Sequence, residues 1–84
     1  EKIAILNLNK IQNLIDSNKI ELNTLIDLAL LKKTKVIGKS FNKIKILGSG
    51  EIKSKVSLNI DFISKSAKEK LEKAGSTINL NKKN

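Results

Sequence analysis

From Ile3 the chain runs IAILNLN, apolar and β-branched, which predicts a short strand. The period then changes. In KIQNLID, residues 10–16, Ile11, Leu14 and Ile15 fall at i, i+3 and i+4, one face of a short helix with Asn9 as its N-cap. Ser17 and Asn18 end it as turn residues. IELNTLIDLALLKK, residues 20–33, predicts a second helix capped by Asn23, its apolar surface almost continuous through Leu25, Ile26, Leu28, Ala29 and Leu30. Residues 34–42, TKVIGKSFN, have no clean period and predict a loop turning at Gly38. KIKIL, residues 43–47, alternates in the two-residue period of a half-buried strand, with Lys43 and Lys45 on one face and Ile44 and Ile46 on the other. KVSLNIDF, residues 55–62, repeats the alternation, placing Val56, Leu58, Ile60 and Phe62 inward.

Two half-buried strands need a cover, and SKSAKEKLEKAG, residues 64–75, supplies it. Ala67, Leu71 and Ala74 form a stripe at i, i+4 and i+7. Ser66 and Glu69 have capping-box spacing, Ser64 is an alternative N-cap, and Gly75 stands where a helix takes a left-handed C′ residue. STINL, residues 76–80, is a last short strand, and NKKN, residues 81–84, a frayed basic tail. The expected fold is α/β: one small mixed domain over residues 1–80, built of short strands and three short helices.

Charge adds a function class to this outline. The chain has 84 residues, 17 of them lysine and none arginine, against 8 acids, for a net charge of +9. A domain of this size buries only about 60–65% of its unfolded surface, so its core is small. Lysine ammoniums are mobile point charges that suit a phosphate backbone without reading bases. An excess of lysine is also what a solubility device or a compositional genome bias produces. Such a bias spreads lysines evenly, and here they are not even. Residues 1–31 hold Lys2, Lys10 and Lys19 against Glu1, Asp16, Glu21 and Asp27, a net −1. Residues 32–84 hold fourteen lysines against Glu51, Asp61, Glu69 and Glu72, a net +10.

Catalytic chemistry finds no foothold. Cysteine and histidine are absent, which excludes zinc sites of the usual kind and thiol chemistry. The acids are scattered singly, and Asp16 and Asp27 read as solvated helix edges. Ser64-Lys65 is a pairing expected by chance in so lysine-rich a chain. An enzyme remains only as a formal rival requiring a concave site with converging polar groups. No cofactor, metal or small-molecule substrate is implied, and no apolar run reaches the roughly 18 residues of a membrane span.

GSGEIKSK, residues 48–55, lacks the Lys-Ser/Thr ending of a Walker loop and the third glycine of a dinucleotide fingerprint. Gly48 and Gly50 read as positive-φ residues in a turn between two strands. A backbone without side chains can also approach a nucleic acid closely, and Lys45, Lys53 and Lys55 flank it. Lys65, Lys68, Lys70 and Lys73 circle the polar side of the 64–75 helix, as any solvated face does. Lys32 and Lys33 sit at a helix carboxyl end, which favours cations for its own reasons. With no aromatic expected on a sheet face, base stacking is disfavoured, and structured RNA recognised by shape and phosphate is the better fit.

The order of these segments resembles a known family. ELNTLIDLALL, then KILGSG at 45–50, then SKSAKEKLEKAG at 64–75 and STINL, together look like the C-terminal domain of bacterial-type large-subunit ribosomal protein L15, over almost the whole chain. The resemblance implies an irregular strand-strand-helix fold and a non-enzymatic protein of the large ribosomal subunit that binds 23S-type ribosomal RNA and supports assembly beside neighbouring ribosomal proteins. It implies a cytoplasmic ribosome, with an organellar one open as well. A Gly/Arg-rich N-terminal extension of that family is absent from these residues. Lys45, Gly48, Gly50 and Lys53 fall in the family's signature, as do Ser64, Ala67, Lys70 and Gly75; Ser76 stands where the family often has a second glycine. The expected rRNA-contacting set is Lys32, Lys33, Lys39, Lys43, Lys45, Gly48, Gly50, Lys53, Lys55, Lys65 and Lys68. The alternative is a protein-interaction module docking through an apolar helix at 24–31.

Overall fold

A strand forms at each end of the folded chain where one is expected. The computed structural model describes residues 2–81. β1 (Ile3–Asn7) buries Ala4 and Leu6 and turns Ile3, Ile5 and Asn7 outward. It pairs in parallel with β3 (Lys43–Leu47), Ile5 opposite Lys45 and Leu6 opposite Ile46. β3 pairs in parallel with β5 (Phe62–Ile63) to complete a three-stranded sheet. A second parallel sheet runs β2 (Leu25–Ile26), β4 (Ser57–Ile60), β6 (Thr77–Leu80). The connections carry α1 (Leu8–Asp16), α2 (Leu28–Lys33) and α3 (Lys65–Lys73).

Helix caps decide where each helix begins. Asn7, not Asn9, caps α1: its side-chain oxygen accepts the Lys10 N–H at 2.9 Å. The continuous helix expected over 20–33 is divided. Leu25 and Ile26 extend against Ser57 and Leu58, and Asp27, not Asn23, caps α2 by accepting the Leu30 N–H at 2.8 Å. Strand pairing and a short carboxylate that bonds the backbone locally outweigh helical propensity here. No apolar helix therefore spans 24–31, and the docking alternative loses its basis. Ser64 caps α3, accepting from Ala67 N–H at 3.2 Å, and Gly75 closes the helix at φ +80°.

Both sheets and all three helices feed one apolar cluster, with Leu8, Ile11, Leu31, Ile44, Ile46, Leu58, Ile60 and Leu71 sealed from solvent. Between β4 and β5 the chain steps from one sheet to the other. Asp61 makes the step: its N–H donates to the Ile44 carbonyl at 3.1 Å and its carboxylate accepts the Ile44 N–H at 2.9 Å. This insertion shifts the alternation by one residue. Phe62, expected inward, is 41% exposed, and Ile63 packs against the core instead. At the start of the expected tail, residue 81 is tied down: the Asn81 N–H donates to the Ile60 carbonyl at 2.7 Å. Lys82, Lys83 and Asn84 lie outside the described residues.

Candidate nucleic-acid interface

The glycine segment leaves β3 and reaches β4, which belongs to the other sheet, so it is a connection between layers and not a hairpin turn. Its two glycines act differently. Gly50 has φ +86°, and a Cβ there would run into the Asn9 side chain. Gly48 has no positive φ; a Cβ there would lie 2.8 Å from Ala67 N and 2.9 Å from Ser66 Cβ, so the first turn of α3 seats directly on it.

Three side chains hold the segment by its main chain. Asn9 Oδ1 accepts the Glu51 N–H at 3.2 Å. Gln12 Oε1 accepts both Lys53 N–H and Ser54 N–H, at 2.8 and 3.1 Å, while its Nε2 donates to Ser54 Oγ and to Asp16 Oδ1. From the opposite side Lys70 Nζ donates to the carbonyls of Gly48 at 2.9 Å and Gly50 at 2.7 Å, with Glu51 Oε1 at 4.0 Å. The loop is thus fixed between α1 and α3. Lys70, one of four lysines read as a solvated face, is directed inward as an anchor.

The predicted lysines divide among several surfaces. Lys32, Lys33 and Lys39 share a hollow with Lys35, Val36, Ile37 and Gly38, and no acid lines it. Lys35 is the residue that sequence reasoning missed. It takes φ +63° just past α2, the left-handed position from which Val36 N–H reaches back to the Leu31 carbonyl. The missing period over 34–42 hid that role; the closeness of Lys32, Lys33 and Lys35 in KKTK was the available signal. Lys53 lines a second hollow with Lys70, Lys73 and Glu51. The stem of Lys55 lies beside Gly75, with Cε 3.1 Å from where a Cβ would stand. Lys68 borders a hollow with Glu72 and Asn79, and Lys65 is exposed in the first turn of α3.

Lys43 and Lys45 keep the expected register on β3 but differ in exposure. Lys45 is open to solvent. Lys43 is 8% exposed, with Nζ 5.9 Å from the centre of the Phe62 ring. Among the described residues no group of three or more His, Cys, Asp or Glu side chains is placed to hold a metal, and no helix is long and apolar enough to cross a membrane.

Comparison with known proteins matches the sequence of this chain to one family. The family model that groups the ribosomal proteins 50S-L15 and 50S-L18e with their 60S counterpart covers residues 5–79. The large ribosomal subunit protein uL15 of Pelagibacter ubique (strain HTCC1062) is 59% identical over 80 residues, 95% of this chain and 52% of the relative. That of Agrobacterium fabrum (strain C58 / ATCC 33970) is 42% identical over 79 residues, 94% of this chain and 50% of the relative. The chain therefore spans about half the length of the curated relatives it matches. With the family model covering residues 5–79 and relatives matching over nearly the whole chain, the chain is a member of the ribosomal protein L15 and L18e family.

Proposed function

We propose that this chain is a structural, non-enzymatic constituent of the large ribosomal subunit that grips 23S-type ribosomal RNA through lysine-phosphate contacts and supports subunit assembly. The observation that carries the reading is the hollow of Lys32, Lys33, Lys35 and Lys39, four cations with no acid in its lining. Part of that clustering serves the carbonyl end of α2. Yet a helix end is satisfied by one or two cations, and four lysines crowded on one surface repel each other unless an anion joins them. A phosphate backbone, whose contacts fix position without demanding base readout, answers that need.

The glycine connection supports the same reading. Its backbone is set before any ligand arrives, so a contact there loses little conformational freedom on binding. Lys53 and Lys55 extend from it, and Lys65 and Lys68 stand at the start of α3. Residues 1–80 form the RNA-binding unit in this proposal, working on the ribosome beside neighbouring subunit proteins. The test is binding to the cognate large-subunit RNA fragment across a salt series, with Lys32, Lys33, Lys35 and Lys39 replaced together by alanine. Weaker binding and a shallower salt dependence support the hollow as the grip; an unchanged slope overturns it.

A further inference from the structure

The outward face of the β1-β3-β5 sheet carries a pattern that a polyphosphate grip does not require. Register places Ile5, Lys45 and Phe62 in one row across the three strands. At strand spacing the row is about 10 Å wide. Ile5 is 60% exposed and Phe62 41%. The next row pairs Ile3, also exposed, with Lys43, whose ammonium lies over the Phe62 ring. We infer that this face is a stacking platform for an unpaired RNA nucleotide, its base lying on Phe62 and the flanking apolar surface and its phosphate meeting Lys45.

Charge decides between this occupant and a protein. Cores of protein interfaces are depleted in lysine, because burying an ammonium without a matched partner is costly. Here an exposed lysine, Lys45, stands in the middle of the apolar row. A nucleotide supplies a flat apolar base and an anion within one residue, which is the combination the row presents. Stacking on an aromatic ring tolerates any base, since each has a π face. The shift at Asp61 creates the platform: with strict alternation from Val56, Phe62 would be in the core.

This inference rests on the RNA reading above, and the experiment separates the two. Binding of the 84-residue chain is measured by fluorescence anisotropy for a short unstructured single-stranded RNA and for an RNA duplex. The variants are Phe62→Leu, which keeps apolar bulk, and Phe62→Ala, each checked for native circular dichroism. Ring-proton NMR of Phe62 is followed on titration. The expected result is an upfield shift of the Phe62 ring protons with the single strand, and a loss of single-strand affinity of roughly five- to hundredfold in both variants. Duplex affinity stays the same. Duplex binding with unmoved Phe62 resonances, or single-strand affinity unchanged in Phe62→Leu, overturns the platform and leaves the RNA reading standing. Binding of neither RNA overturns both. Self-association that Ile5→Ser abolishes, with ring protons silent to RNA, assigns the face to protein contact and overturns the platform as well.

Discussion

Lys70 Nζ donates to the Gly50 carbonyl at 2.7 Å, joining the middle of α3 to a loop twenty residues earlier. With the Gly48 carbonyl accepting from the same ammonium, one cation neutralises two carbonyls that converge on it. The side chain is about a third exposed, so part of its charge is screened by water.

Replacing Lys70 with methionine, which keeps the stem and removes the donors, is expected to destabilise the fold by about 1–2 kcal/mol. Urea denaturation measures this. Amide exchange separates local from global effects: faster exchange at Glu51 and Lys53 than in β3 shows that the anchor holds the loop. A variant as stable as the parent, with unchanged exchange at those amides, sinks the anchoring role.

The two glycines are expected to fail unequally. Gly48→Ala drives a methyl into the backbone of α3, which cannot swing aside, and costs about 2–3 kcal/mol. Gly50→Ala meets a flexible amide and a left-handed φ, and costs about 1–2 kcal/mol, with loss of the Asn9 bond to Glu51. Thermal melts of the two variants order them; the reverse order contradicts the geometry.

The Ser76 hydroxyl accepts the Val56 N–H at 3.0 Å. Val56 is buried, so Ser76→Gly leaves a donor unmatched and is expected to cost about 1–2 kcal/mol. Ser76→Thr keeps the oxygen and is expected to restore most of it. Equal stability of the glycine variant would show that water serves the N–H equally well.

Removing charge from the lysine hollow is expected to flatten the salt dependence. On duplex nucleic acid each lost phosphate contact takes about 0.9 from the log–log slope, so a surface with about five contacts starts near −4 to −5. Lys35→Gly is the most informative single change, because glycine accepts the φ that lysine holds under strain. It should raise stability by up to about 1 kcal/mol while weakening RNA binding. Stability and affinity falling together would mean that Lys35 acts through the fold.

Much of this architecture was legible from periodicity. Ile44 and Ile46, Leu58 and Ile60, and Ala67 and Leu71 all face the core as their spacing requires. Caps were less legible, because Asn7 and Asn9, or Asn23 and Asp27, are chemically equivalent signals a few residues apart, and strand pairing chose between them. Phe62 shows a deeper limit. Its inward assignment extended a period through Asp61, whereas Asp61 bonds both main-chain groups of Ile44 and resets the count. In sequence Lys70 is one more solvated cation, because its partners are carbonyls in a different segment and carbonyls leave no trace in composition.

The anchors of the glycine connection grasp main-chain groups at Gly48, Gly50, Glu51, Lys53 and Ser54. Main-chain groups are the same whichever amino acid occupies a position. The side chains of Ser49 and Lys53 can therefore be exchanged without unmaking the loop, and its outer surface is open to drift or to redesign. A substitution library over those two positions should keep native melting temperatures while its members scatter in RNA affinity; melting temperatures that scatter equally would show that shape and surface are not separable. Shape is inherited from Asn9, Gln12 and Lys70, and chemistry is left to the positions between.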